Sequence, residues 1–157
     1  MDINTLVVIG AGQMGNGIAQ VAAMSGINVI MNDISAEFVQ KGLATITRIL
    51  TRNVDKGKIT EFDKESILSR ISASTDLKDM AAANFVVEAA TENEALKFKI
   101  FKDLDTICPP EAILSTNTSS IPIGRIAFQT KRPDKVIGMH FMNPVPVMRL
   151  VEIIRGL

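Results

Sequence analysis

The sequence predicts a doubly wound α/β fold on a mostly parallel sheet, with a helical-pair insertion and a terminal antiparallel strand pair. Three observations predict it. Short β-branched runs alternate with amphipathic stretches along the chain. The first run, Leu6-Val7-Val8-Ile9, leads into Gly10-Ala11-Gly12-Gln13-Met14-Gly15, a Gly-x-Gly-x-x-Gly turn. The second, Asn28-Val29-Ile30-Met31-Asn32, ends at Asp33, roughly 20 residues beyond the glycines. A strand, this turn, a helix and a second strand ending in an acid make the dinucleotide-binding unit of Rossmann-type sheets. There Gly10 allows the tight turn, Gly12 leaves room for a pyrophosphate, and Gly15 lets the helix approach the strand. The helix N-terminus offers free N–H groups and a partial positive charge. Asp33 is placed to accept hydrogen bonds from the ribose hydroxyls and to repel a 2′-phosphate, which selects NAD over NADP.

The elements follow in order. The first strand covers 5–9 and the first helix 13–25, with Met14, Ile18, Val21 and Ala22 on one face and Gly26 as its stop. Ser35 caps a long helix that carries Val39, Leu43, Ile46, Leu50 and Val54 as a ladder and ends at Gly57. Thr60-Glu61-Phe62-Asp63 opens another, reaching about Arg70. This pair stands where a single crossover helix would suffice, either as a structural hairpin or as a contact for substrate or partner. Next come a strand at 71–74, a helix at 76–82 and a buried parallel strand at 85–88. The helix at 93–107 sets Leu96, Ile100, Leu104 and Ile107 on one side, and Pro109-Pro110 terminate it. A strand at 112–115, the polar turn 116–120 and a short helix at 123–128 precede the last strands, 136–140 and 148–154. A turn around Val145-Pro146 folds those two back antiparallel.

Bulk properties exclude several functions. The 157 residues fit one domain and have 46% hydrophobic and 22% charged content, ordinary for a globular protein. Net charge is zero, so no basic field exists to hold nucleic acid or an anionic membrane. The single cysteine, Cys108, forms no internal disulfide, no metal-type cluster surrounds it, and a reducing cytoplasmic setting is expected. Met1-Asp2 runs almost directly into a strand, so no targeting peptide is expected, and no apolar run approaches the ~20 residues of a membrane span.

In an open parallel sheet, ligands bind beyond the carboxyl ends of the strands. Those ends hold residues 10–15, Asp33, 89–92, 117–119 and His140, all small or polar. His140 is the only histidine, and Glu152 is an acid inside the apolar run Leu150-Val151-Glu152-Ile153-Ile154. Antiparallel pairing would bring the two together. A buried carboxylate then gains a partner, and the imidazole gains a fixed tautomer suited to a general base. Otherwise His140 is structural and Glu152 faces outward from an edge strand. Ser119 and Asn117 either make simple turn hydrogen bonds or face a nicotinamide and the reacting oxygen. Glu92 and Lys97 are either surface charges or contacts to ribose and phosphate.

Four segments carry a resemblance. They are 8–15, Val87-Glu88-Ala89-Ala90, Ser115-Thr116-Asn117-Thr118-Ser119-Ser120, and Gly138-Met139-His140-Phe141-Met142-Asn143-Pro144-Val145-Pro146. In this order they resemble L-3-hydroxyacyl-CoA dehydrogenases, in particular the clostridial-type 3-hydroxybutyryl-CoA dehydrogenases of butyrate and butanol fermentation. The resemblance spans the whole chain, including the helical pair. It implies NAD-linked, reversible oxidation of an (S)-3-hydroxyacyl-CoA to a 3-oxoacyl-CoA in fatty-acid or butyrate metabolism. It implies His140 as general base, Glu152 as its orienting acid, Ser119 on the substrate oxygen and Asn143 nearby. Around NAD it implies Gly10, Gly12, Gln13, Met14, Gly15 and Asp33 on the first half-site. Ala89, Glu92, Lys97, Asn117, Ser119 and Asn143 would complete the cofactor set, with no metal. In the family an all-helical domain follows, supplying much of the acyl-CoA pocket and the homo-oligomer interface. This sequence ends where that junction would begin, so retained NAD binding with greatly weakened turnover is expected. An apolar patch over 147–157 is expected to be exposed. The competing readings are a non-catalytic NAD(H)-binding module and a related short-chain hydroxy-acid dehydrogenase.

Overall fold

A computed structural model describes residues 3–156. Among these residues, seven strands form one sheet in the order β3-β2-β1-β4-β5-β6-β7. They are β1 (Thr5–Ile9), β2 (Asn28–Asn32), β3 (Ile71–Ser74), β4 (Phe85–Glu88), β5 (Ile113–Thr116), β6 (Val136–Phe141) and β7 (Val151–Arg155). All neighbours are parallel except β6 and β7, which are antiparallel. The order reverses at β1, which pairs with β2 on one side and β4 on the other, the switch point where a crevice opens.

The alternation of side chains along each strand divides the core between the two faces of the sheet. Leu6 and Val8 of β1 and Phe85 and Val87 of β4 pack on one face. With them lie Ile18, Val39, Ile46, Leu50 and Ile67. Val7, Ile9 and Val86 point the other way, toward Ile100, Phe101, Leu104 and Ile126. Helices cover both faces, which is why these strands read as near-continuous apolar runs.

On the first face, α1 (Gln13–Met24) is buried nearly all round, beyond the single stripe its periodicity suggests. The inserted helices α2 (Ala36–Asp55) and α3 (Glu61–Ser69) link β2 to β3. Ser35 accepts the Phe38 N–H at the start of α2. Thr60 and Asp63 cap each other reciprocally at the start of α3. Gly57 turns the chain between the helices at φ 67°, where any side chain would be strained. Val39, Ile46 and Leu50 are buried, whereas Leu43 and Val54 are half-buried at the edge of the stripe. The pair therefore has a packing role whatever else it does.

On the second face lie α4 (Glu94–Ile107) and α5 (Ile123–Ala127). Arg132 fastens the C-terminal end of α4 by pairing with Asp105 at 2.8 Å and donating to the carbonyls of Asp105, Cys108 and Pro109. The helix expected at 76–82 is a 3₁₀ helix over 77–82, with Asp76 capping it through the Lys78 N–H. Two local expectations differ. The last strand begins at Val151, three residues later than its apolar run, because 142–150 are spent returning the chain. On α4 the buried face is Lys97, Ile100, Phe101 and Leu104, while Leu96 is exposed. As expected, Val147, Met148, Leu150, Ile153 and Ile154 are exposed. No helix among the described residues is long and apolar enough to cross a membrane.

Candidate active site

The glycine turn shapes the first half-site. Gly10 adopts φ 101°, and a Cβ there would lie 2.6 Å from the Ala89 carbonyl oxygen. A Cβ on Gly15 would lie 1.7 Å from the Gly10 carbonyl oxygen, so only hydrogen lets α1 start against the turn. Gly12 is different: its missing side chain borders open space. Gly12 also caps α1 with no side-chain hydrogen bond, leaving the first helical N–H groups without a side-chain acceptor. Open space above a bare helix N-terminus fits a pyrophosphate. Asp33 stands at the end of β2, accepting from the N–H of Ala11 and of Ile34 at 2.7 Å each. It thereby ties the second strand end to the glycine turn, a link that sequence reading did not anticipate.

At the reacting end, β6 and β7 pair so that His140 lies opposite Glu152. His140 Nδ1 and Glu152 Oε2 are 2.9 Å apart. Glu152 was expected to be buried, but its side chain is 49% exposed on the edge strand. An edge strand needs no buried acid, so the outward position and the pairing coexist.

His140 opens onto a cleft of about 370 Å³ also lined by Met14, Ala89, Glu92, Lys97, Asn117, Ser119 and Asn143. The ends of β4, β5 and β6, the first turn of α1 and the start of the 142–150 return thus converge on one space. Asn117 Oδ1 accepts the Phe141 N–H at 2.8 Å, fastening the turn after β5 to the end of β6. Ser119 is exposed at the rim, and its hydroxyl takes no part in the turn bonds that Thr118 makes. Gln13 donates to Asn143 at 3.2 Å, and Asn143 also borders a second cleft of about 470 Å³ with Gly12 and Gln13. Gly10, Gly15 and Asp33 line neither cleft and shape the turn between them. Among the described residues no group of three or more His, Cys, Asp or Glu is placed to hold a metal ion.

The charges at the cleft floor overturn one reading. Lys97 is no surface charge: it is 1% exposed and paired at 2.7 Å with Glu88, which is fully buried. Glu92 lies 3.7 Å from the same ammonium and accepts from the hydroxyls of Thr118 and Ser120. Partial burial pushes the Glu92 carboxyl up, but those two hydroxyls and the Lys97 charge outweigh it and hold it below the usual carboxylate range. Glu88 and Thr118 escaped the sequence reading. An acid closing the apolar run 85–87 was the available signal for Glu88.

Comparison with known proteins decides the family. The family model described as "3-hydroxyacyl-CoA dehydrogenase, NAD binding domain" matches residues 5–157. The chain belongs to this family. It is 54% identical over its whole length to the probable 3-hydroxybutyryl-CoA dehydrogenase of Bacillus subtilis, covering 55% of that protein. It is 45% identical to the 3-hydroxyadipyl-CoA dehydrogenase of Escherichia coli, again over its whole length, and covers 33% of it. The crystal structure of (S)-3-hydroxybutyryl-CoA dehydrogenase from Ralstonia eutropha superposes with a TM-score of 0.97 at 54% identity. That match covers 99% of this chain and 55% of the other. The chain thus spans about half the length of several 3-hydroxybutyryl-CoA dehydrogenases it matches, and the family model describes that half as the NAD-binding domain.

Proposed function

We propose that this chain is the cofactor-binding and dyad-bearing part of an NAD-dependent 3-hydroxyacyl-CoA dehydrogenase. The reaction is the reversible oxidation of (S)-3-hydroxybutyryl-CoA to acetoacetyl-CoA. The observation that carries the proposal is the His140–Glu152 pair, 2.9 Å apart and opening onto the cleft that Ser119, Asn117 and Asn143 share. A module that only bound NAD(H) would need no such pair.

Bound NAD would supply the acceptor for the hydride leaving C3. Gly12 and the start of α1 hold its pyrophosphate, Asp33 its adenosine ribose, and Lys97, Glu92 and Asn117 the nicotinamide half. His140 donates a hydrogen bond from its Nδ1–H to Glu152, which leaves Nε2 to take the substrate hydroxyl proton. In reverse, the imidazolium returns that proton to the substrate oxygen while Glu152 stabilises the positive ring. The Ser119 hydroxyl binds the same oxygen, and Asn143, steadied by Gln13, borders the acyl side.

The exposed apolar residues Val147, Met148, Leu150, Ile153 and Ile154 fit cover by a further helical domain, which would close the acyl-CoA pocket and make a homo-oligomer. Without that cover the substrate is neither held nor desolvated, so turnover by the 157 residues alone is low. The free, buried Cys108 fits a cytoplasmic setting. The test is NADH oxidation by this chain with acetoacetyl-CoA, alongside His140→Gln. Slow oxidation abolished by the substitution supports the proposal, and unchanged oxidation in the variant removes His140 from the chemistry. Profiling with longer and dicarboxylic 3-oxoacyl-CoAs fixes the acyl preference.

A further inference from the structure

We infer that Glu88 is a positioning residue for the cofactor site, holding the Lys97 ammonium and the 89–92 loop in place from behind. The inference rests on the reading that Lys97 faces the cofactor. Glu88 closes β4 and is 0% exposed. Its Oε1 accepts from Lys97 Nζ and from the Ala90 N–H, both at 2.7 Å. Its Oε2 accepts the Thr116 hydroxyl proton at 2.7 Å, and its backbone carbonyl accepts the Asn117 N–H at 2.8 Å. One residue thus ties α4, the loop after β4 and the turn after β5, three of the elements that wall the cleft.

Stability alone does not account for this arrangement. Burying two charges costs several kcal/mol per ion, and an apolar pair of similar volume is often as stable or more so. The pair does something an apolar pair could not: it fixes a buried cation in the wall of the cleft. An ammonium has three donors. One goes to Glu88 and one to the Ala90 carbonyl at 3.2 Å, leaving the third toward the cleft that Lys97 lines. Without the carboxylate, the ammonium would be a buried charge with only Glu92, 3.7 Å away, to balance it. It would then swing out of place, and the 89–92 loop would lose the bond at Ala90.

The test is NADH titration of the 157-residue chain by cofactor fluorescence, with a thermal melt of each variant. Glu88→Gln, Lys97→Met and the double variant are compared well below their melting temperatures. Glu88→Gln and Lys97→Met should each weaken NADH about 10-fold or more, and Glu88→Gln should add no more than about 2-fold in the Lys97→Met background. Should Glu88→Gln not fold, Thr116→Val frees Glu88 Oε2 without removing a charge. It should weaken NADH about 3-fold, an effect absent when Lys97 is Met. A Glu88→Gln variant that melts lower yet binds NADH as tightly as its parent overturns the inference, as do effects that simply multiply. Unchanged binding in Lys97→Met overturns the underlying reading and this inference with it.

Discussion

His140 and Glu152 face each other across the antiparallel pair β6–β7, with Nδ1 and Oε2 2.9 Å apart. In the proposed mechanism Glu152 orients the ring through this contact, and it lines neither cleft. Glu152→Gln should lower acetoacetyl-CoA-dependent NADH oxidation about 100-fold, within the range of general acid–base catalysis. NADH affinity should change by less than about 2-fold, and a comparable loss of affinity would give Glu152 a different role.

Gly12 and Gly15 should separate binding from folding. Gly15→Ala drives a Cβ into the Gly10 carbonyl and should cost about 3 kcal/mol in denaturant unfolding. Gly12→Ala meets no protein atom within 4 Å and should melt within a few degrees of its parent, yet bind NADH at least about 10-fold more weakly. Equal affinities for Gly12→Ala and its parent would place the pyrophosphate elsewhere.

Much of this was readable in advance, and the failures share a cause. β1, β2, β3 and β4 came out at their expected bounds because turn residues bracket short apolar runs. The glycine turn and Asp33 carry their geometry in local spacing. Lys97 and Leu96 do not. Periodicity put Leu96 inside α4, yet Lys97 is the buried neighbour because Glu88, nine positions earlier on another element, supplies its countercharge. A window of hydropathy cannot see a partner across a fold. Glu152 erred the other way: an apolar run suggested burial, but β7 is an edge strand whose outer residues face solvent.

Asp33 should discriminate between cofactors. The NADPH dissociation constant should exceed that for NADH about 10-fold or more, since a 2′-phosphate meets a carboxylate. Asp33→Ala should narrow that ratio and weaken NADH as well, because the bond to the Ala11 N–H goes with it. Tighter NADPH than NADH binding in the parent would contradict the assignment.

Glu92 carries a pH signature. Folding lowers its pKa, because donation from Thr118 and Ser120 and the Lys97 charge outweigh partial burial. The ionised carboxylate therefore stabilises the fold above its unfolded value, about 4.3. That contribution fades as pH falls through the lower folded value. At pH 7 Glu92→Gln should cost less than about 1 kcal/mol, the side chain being partly exposed. Melting curves of parent and variant should converge as the pH falls below the lowered folded value, and a gap that widens there would reverse the sign.

NADH titration followed by cofactor fluorescence tests the central claim most directly, with no Trp or Tyr in the chain to interfere. The account predicts saturable enhancement in the 157-residue chain, equal enhancement in His140→Gln, and NADH loss on adding acetoacetyl-CoA to the parent alone. No enhancement in the folded parent would contradict it, because the cleft between the glycine turn and His140 would then hold no dinucleotide.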